Sequence, residues 1–156
     1  MLMLACTNPV SAQGQFIAPL GRHTVGSKLA DVRSLRQSEN CLIEANYADC
    51  TFTDGDGVAY VVFEDTVTTV AVTERTAGPS VRLPFGLKFG ENLDVAARKL
   101  VSGGSVWTLG ADPDTSAGVV LSSTVSHSGK NGWNFGVEIR FANGRLVGVS
   151  YVSGTI

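Results

Sequence analysis

Leu83–Leu100 reads LPFGLKFGENLDVAARKL, and an earlier segment, Ala18–Leu35, reads APLGRHTVGSKLADVRSL. Pro19-Leu20-Gly21 aligns with Pro84-Phe85-Gly86. After a one-residue gap Gly26 meets Gly90 and Leu29 meets Leu93. Each copy reads as a turn, a glycine, a polar cap and a short amphipathic helix, and each is followed by a strand-rich half. A segment stated twice predicts a duplicated domain in which each half brings one small helical unit to a sheet. The expected fold is α+β. Two tandem pseudo-repeats, residues 15–77 and 78–156, each pack a short helical unit on an antiparallel sheet and together form one concave sheet surface.

Outward from these segments the pattern alternates between helix and strand periods. Ser27 is the expected N-cap of a helix over Lys28–Arg36, with Leu29, Val32 and Leu35 on one side. In the second copy Asn92 is the expected cap. Leu93, Ala96, Ala97 and Leu100 form one apolar stripe, ended by Gly103-Gly104. Thr51-Phe52-Thr53, Val58–Glu64 and Val67–Thr73 read as strands around the turn Asp54-Gly55-Asp56-Gly57. Val58–Glu64 is apolar on both faces, which predicts a central strand. Ala77–Ser80 joins the halves. Trp107 lies in a short strand, Ala111–Ser116 is a loop, and Gly118–Val125 is a further strand. Trp133–Phe141 and Arg145–Val152 form a hairpin on Asn143-Gly144, with one wet face available for binding.

The chain of 156 residues is 44% hydrophobic and only 17% charged, with 18 glycines, a balance that fits a compact, turn-rich and strand-rich protein. The net charge of −2 and the scattered Lys and Arg give no electrostatic footprint for nucleic acid. Cys41 and Cys50 are close enough in sequence either to stay as two buried thiols or to close a disulfide. Such a bridge is worth on the order of 2–3 kcal/mol. Residues 1–14, MLMLACTNPVSAQG, read as a leader remnant. Val10-Ser11-Ala12 suits a signal peptidase, and Met3-Leu4-Ala5-Cys6 resembles a lipobox that would make Cys6 a lipidation site. Either reading implies export: a periplasmic, outer-membrane-anchored or secreted protein that meets a membrane only through a lipid on Cys6.

Asp54 and Asp56 alternate as in a calcium loop, but Val58 and Ala59 stand where an oxygen donor and the turn glycine belong. The segment is therefore expected to be a plain hairpin turn. His23 and His127 are expected at the surface. No acid, base and nucleophile set emerges and no glycine segment follows a strand as a phosphate loop requires. The chain is read as non-enzymatic, without metal or cofactor. Trp107, Trp133 and Tyr151 are either core rings or exposed anchors, with Tyr151 leaning to the core.

The order of these features resembles the β-lactamase-inhibitor-protein family. The residues that carry the likeness are Glu39-Asn40-Cys41, Cys50, Gly55-Asp56 with Ala59-Tyr60, Ser116-Ala117-Gly118-Val119, and Phe141-Ala142-Asn143-Gly144. It covers about residues 16–151. It is similar, more remotely, to the small outer-membrane lipoprotein of the barrel-assembly machinery, which shares the glycine-then-helix element. The resemblance implies a concave surface that grips a protein, with Asp56 at the first hairpin tip entering an enzyme's substrate pocket and Tyr60 packing beside it. It departs at Gly57, where the family has an aromatic residue, and at Glu138, Arg140 and Ser150 on the last strands. Asp54, Asp56, Tyr60, Trp107, Trp133, Glu138 and Arg140 make up the expected partner-binding set. The expected partner is a protein, an enzyme of the envelope or extracellular space that the chain inhibits. The alternative role is a structural envelope lipoprotein that uses the sheet for assembly.

Overall fold

The computed structural model describes residues 17–102, 106–115 and 117–154. The leader 1–14, Cys6, Gly103-Gly104 and Ser116 lie outside them. Its elements in chain order begin with α1 (Leu29–Val32), β1 (Arg36–Gln37), β2 (Leu42–Ile43), β3 (Ala48–Thr53), β4 (Ala59–Glu64) and β5 (Thr66–Thr73). A 3-10 turn at Pro84–Gly86 leads to α2 (Leu93–Val101). Then follow β6 (Trp107–Ala111), β7 (Gly118–Ser123), β8 (His127–Ser128), β9 (Asn134–Ala142) and β10 (Arg145–Ser153).

All strands join one antiparallel sheet in the order β1-β3-β4-β5-β10-β9-β7-β6, with β2 also on β3 and β8 also on β9. The chain thus builds from one edge to the middle at β5, then from the opposite edge back to the middle at β10. The fold is mainly this open sheet with few helical residues. β4 lies between β3 and β5, as its two apolar faces predict. Alternation along β4 keeps Tyr60 and Val62 buried and turns Phe63, with Ala59 and Val61, to the opposite face, where it is exposed. The Asn143-Gly144 turn has φ of 51° and 76°, the left-handed pair that a two-residue hairpin needs.

One face of the sheet carries the core. Phe52, Tyr60, Val70, Tyr151 and Val137 face one another across five strands and are buried. Leu29 and Val32 of α1, with Ala96 and Leu100 of α2, belong to the same buried cluster, which places both helices on this face. Tyr151 stacks on Phe135 at 4.6 Å, and its hydroxyl donates to the Ala18 carbonyl at 2.7 Å.

The two helices enter the sheet through matching bonds. Gly26 N–H donates to Val67 O (2.9 Å), Val67 N–H to Ser27 O (2.8 Å) and Leu29 N–H to Asp65 O (2.7 Å). Gly90 N–H donates to Leu146 O, Leu146 N–H to Glu91 O and Leu93 N–H to Gly144 O, each at 2.9 Å. Gly26 and Gly90 both hold a positive φ, 91° and 81°, which an L-residue adopts at a cost.

Two expectations need correction. The first helix is far shorter than Lys28–Arg36, and its N-cap is Lys28, not Ser27, which is buried. After Val32 the chain must turn so that Arg36 and Gln37 can pair with Thr53 and Phe52 at the sheet edge. Arg33 secures that turn by donating to the carbonyls of Glu44 (2.6 Å) and Ala45 (3.1 Å). His127, expected at the surface, is only 3% exposed and stacks on Phe135 at 5.7 Å. β8 folds back onto β9 across the short turn between them, which sets His127 opposite the buried Phe135.

Candidate functional site

The first hairpin is built by its own aspartate. Asp54 Oδ1 accepts from the N–H groups of Asp56 (2.9 Å) and Val58 (3.0 Å), the local bonding that makes aspartate a turn residue. Its Oδ2 accepts from the Tyr60 hydroxyl at 2.7 Å. Tyr60 is fully buried, and His23 meets it edge-on at 5.4 Å. Burial first, then the Asp54 carboxylate, pushes the Tyr60 hydroxyl well above the ordinary tyrosine range. Gly57 has φ of 81° and leaves no room for a Cβ against the Thr76 carbonyl. Asp56 Oδ1 accepts from the Ser80 hydroxyl (2.6 Å), and its carbonyl accepts from Gly78 N–H (2.7 Å). Asp56 therefore pins the 78–80 join to the hairpin tip.

Glu138 and Arg140 lie on the face opposite the core. There Thr53, Ala59, Ala71, Ser150, Glu138, Ser122 and Thr108 stand directly opposite one another in a row across seven strands. Except for Glu138 every side chain in the row is small, so the face is open and low. At the β3–β5 end of the row, Thr53, Ala59 and Ala71 join Arg36, Thr73 and Thr76 in lining a hollow of about 300 Å³. Gly148 and Val120 flank Arg140 on the neighbouring strands. Arg140 Nη1 reaches Asp114 at 2.8 Å and Asp112 at 3.7 Å, and Nη2 reaches Glu138 at 3.8 Å. The Asp114 hydrogen bond is the largest influence holding this guanidinium charged. One cation against three carboxylates gives this end of the face a negative character.

The expected set is thus spread over the molecule. Glu138 and Arg140 share the open face. Asp54 and Asp56 sit at the hairpin end of β3 and β4, with Tyr60 beneath them in the core. Trp107 is half-buried on the helix side, edge-on to Phe85 at 5.6 Å. Trp133 precedes β9 at the opposite end of the sheet from Asp56. It is 39% exposed and borders a hollow of about 380 Å³ with Ser126, Asn131 and Asn134. Sequence reasoning missed Asp112 and Asp114 as partners of Arg140 and Ser80 as partner of Asp56. The acidic pair astride Pro113 was the available signal, but nothing local linked it to β9.

Cys41 and Cys50 form a disulfide that ties the segment after β1 to β3. Such a bridge fits an oxidising compartment outside the cytoplasm. Among the described residues no helix is long and apolar enough to cross a membrane.

No family model, curated protein or solved structure matches the chain. What fold and site define together is a class: a disulfide-bearing, open antiparallel sheet with one face covered by helices and the other bare.

Proposed function

We propose that this chain is an exported, non-enzymatic protein-binding module of the β-lactamase-inhibitor kind, gripping a protein partner on its bare sheet face and inhibiting an envelope or extracellular enzyme. The observation that carries the reading is that face: a row across seven strands whose side chains are all small except Glu138. A low surface of this kind accepts bulky side chains from a partner, and a few such anchors supply most of an interface's energy. The Arg140 cluster at one end favours a basic group on the partner.

Two pseudo-repeats, 15–77 and 78–156, account for the architecture. The matching bonds at Gly26 and Gly90 support this, as does a strand order that runs from each edge to the middle. Asp56, fastened to Ser80, acts in this reading as a rigid tip at the margin of the face, and Trp133 as a contact at its far end.

The test is capture from the exported proteins of the source cell, followed by inhibition assays on any enzyme retained. Wild type should hold a partner that Ala71→Arg, which raises a long cation in the middle of the face, releases at least tenfold more readily. Arg98→Glu, on the exposed side of α2, should keep it. Equal capture by Ala71→Arg and wild type sinks the reading.

A further inference from the structure

The outer edge of β6 is a surface distinct from the bare face. β6 ends the sheet beside β7, and among the described residues no strand lies on its other side. Thr124 N–H donates to Val106 O (3.1 Å) and Asp112 N–H to Gly118 O (2.9 Å), so the even-numbered positions bond inward to β7. Antiparallel ladders alternate, so the N–H and C=O groups of Trp107, Leu109 and Ala111 point away from the sheet. Natural edges of this kind are usually blunted by charge, proline or a bulge. Val106–Ala111, VWTLGA, has no charge and no proline, and its pairing with β7 runs without a register shift. Leu109 is 59% exposed and Val106 is 67% exposed.

We propose that β6 is where two copies of this chain associate, antiparallel about a two-fold axis through Leu109. The strand is complementary to itself. With the axis at Leu109, Leu109 of each copy faces Leu109 of the other, and Trp107 faces Ala111. All of these positions have outward groups, so donors meet acceptors in every facing pair. The absence of charge means no like charges oppose each other, whereas a charged strand from another protein finds nothing on β6 to neutralise it. The nearest acidic group, Asp112, is buried against Arg140. An isologous pair of this kind closes at the dimer. The contact is a single strand wide, below the ~1,000 Å² of a durable interface, so it forms and dissociates with concentration.

Sedimentation of wild type, Leu109→Lys and Thr108→Lys over a wide concentration range tests this, with far-UV circular dichroism confirming that each variant is folded. Wild type should pass from monomer to dimer. Leu109→Lys sets two ammonium groups face to face and should weaken the dimer by roughly tenfold or more. Thr108→Lys points to the bare face and should change it little. Hydrogen exchange should find the Trp107, Leu109 and Ala111 amides protected as concentration rises. A wild type that stays monomeric while those amides exchange freely overturns the proposal. So does a dimer of unchanged strength in Leu109→Lys, or amide protection that arises only when a different protein is added.

Discussion

The two halves of the sheet start from the same device and finish differently. In each, a glycine with positive φ precedes a polar cap and a helix, and backbone bonds fix that unit to a central strand. The first half then has a four-residue helix, and its edge is made of two-residue strands, one carrying Arg36, beside the Cys41–Cys50 bridge. The second half has a nine-residue helix and no disulfide among the described residues, and its edge is the uncharged strand β6. The lesson is that the element tying each half to the middle is constrained on all sides, while an edge has one free flank and can be closed by covalent chemistry or left for another chain.

The largest effects should come at the two glycines, and they should be unequal. A Cβ at Gly26 would run into the Lys130 carbonyl, which is backbone, while one at Gly90 meets the movable end of Arg145 at 2.9 Å. Gly26→Ala should therefore cost about 3 kcal/mol or more, since it adds a backbone collision to strain. Gly90→Ala should cost about 1–2 kcal/mol, the left-handed strain alone. Denaturant unfolding of both variants checks this, and equal losses would break the distinction between the two units.

Removing the bridge by Cys41→Ser with Cys50→Ser should lower stability by about 2–3 kcal/mol. Hydrogen exchange should find the loss concentrated at β1 to β3, leaving β6 and β7 nearly as they were.

The buried tyrosines give the next comparison. Tyr60→Phe leaves an Asp54 oxygen without its donor and should cost about 1–3 kcal/mol, more than Tyr151→Phe, which frees only the Ala18 carbonyl. Burial raises both hydroxyls above the ordinary value of 10.0. A raised folded-state pKa means the contribution is complete below the unfolded value and lost as pH climbs beyond it. Stability measured by thermal unfolding should thus fall with increasing pH above 10.0. The fall should be shallower in the Tyr60→Phe, Tyr151→Phe double variant.

The smallest effect should be at the α2 cap. Asn92 Oδ1 accepts from Val95 N–H at 3.0 Å, and Asn92→Ala should cost about 1 kcal/mol. The comparable change at Ser27, which is not the cap of α1, should leave the helix itself unaffected.

What could be read in the chain beforehand follows this same division. Asn92, the α2 stripe, the Asn143-Gly144 turn and the strands around Asp54–Gly57 were legible because each rests on bonds between near neighbours or on a simple period. The length of α1 was not, because its end is set by the pairing of Arg36 with Thr53 across the edge. The burial of His127 was hidden differently: the polar residues around it suggest a surface turn, but the short pairing of β8 with β9 sets it opposite the buried Phe135. Of the expected binding residues, Glu138 and Arg140 could be assigned to one strand face by alternation. Which face the helices leave bare depended on packing that alternation cannot specify, and the burial of Tyr60 beneath Asp54 followed from it.

The most direct measurement is thiol labelling of Ala71→Cys and Arg98→Cys, read at each site by mass spectrometry with and without the captured partner. Protection of Cys at position 71 with undiminished reaction at position 98 is the predicted result. Protection at 98 with free reaction at 71 would put the partner on the helices and contradict a grip by the bare sheet.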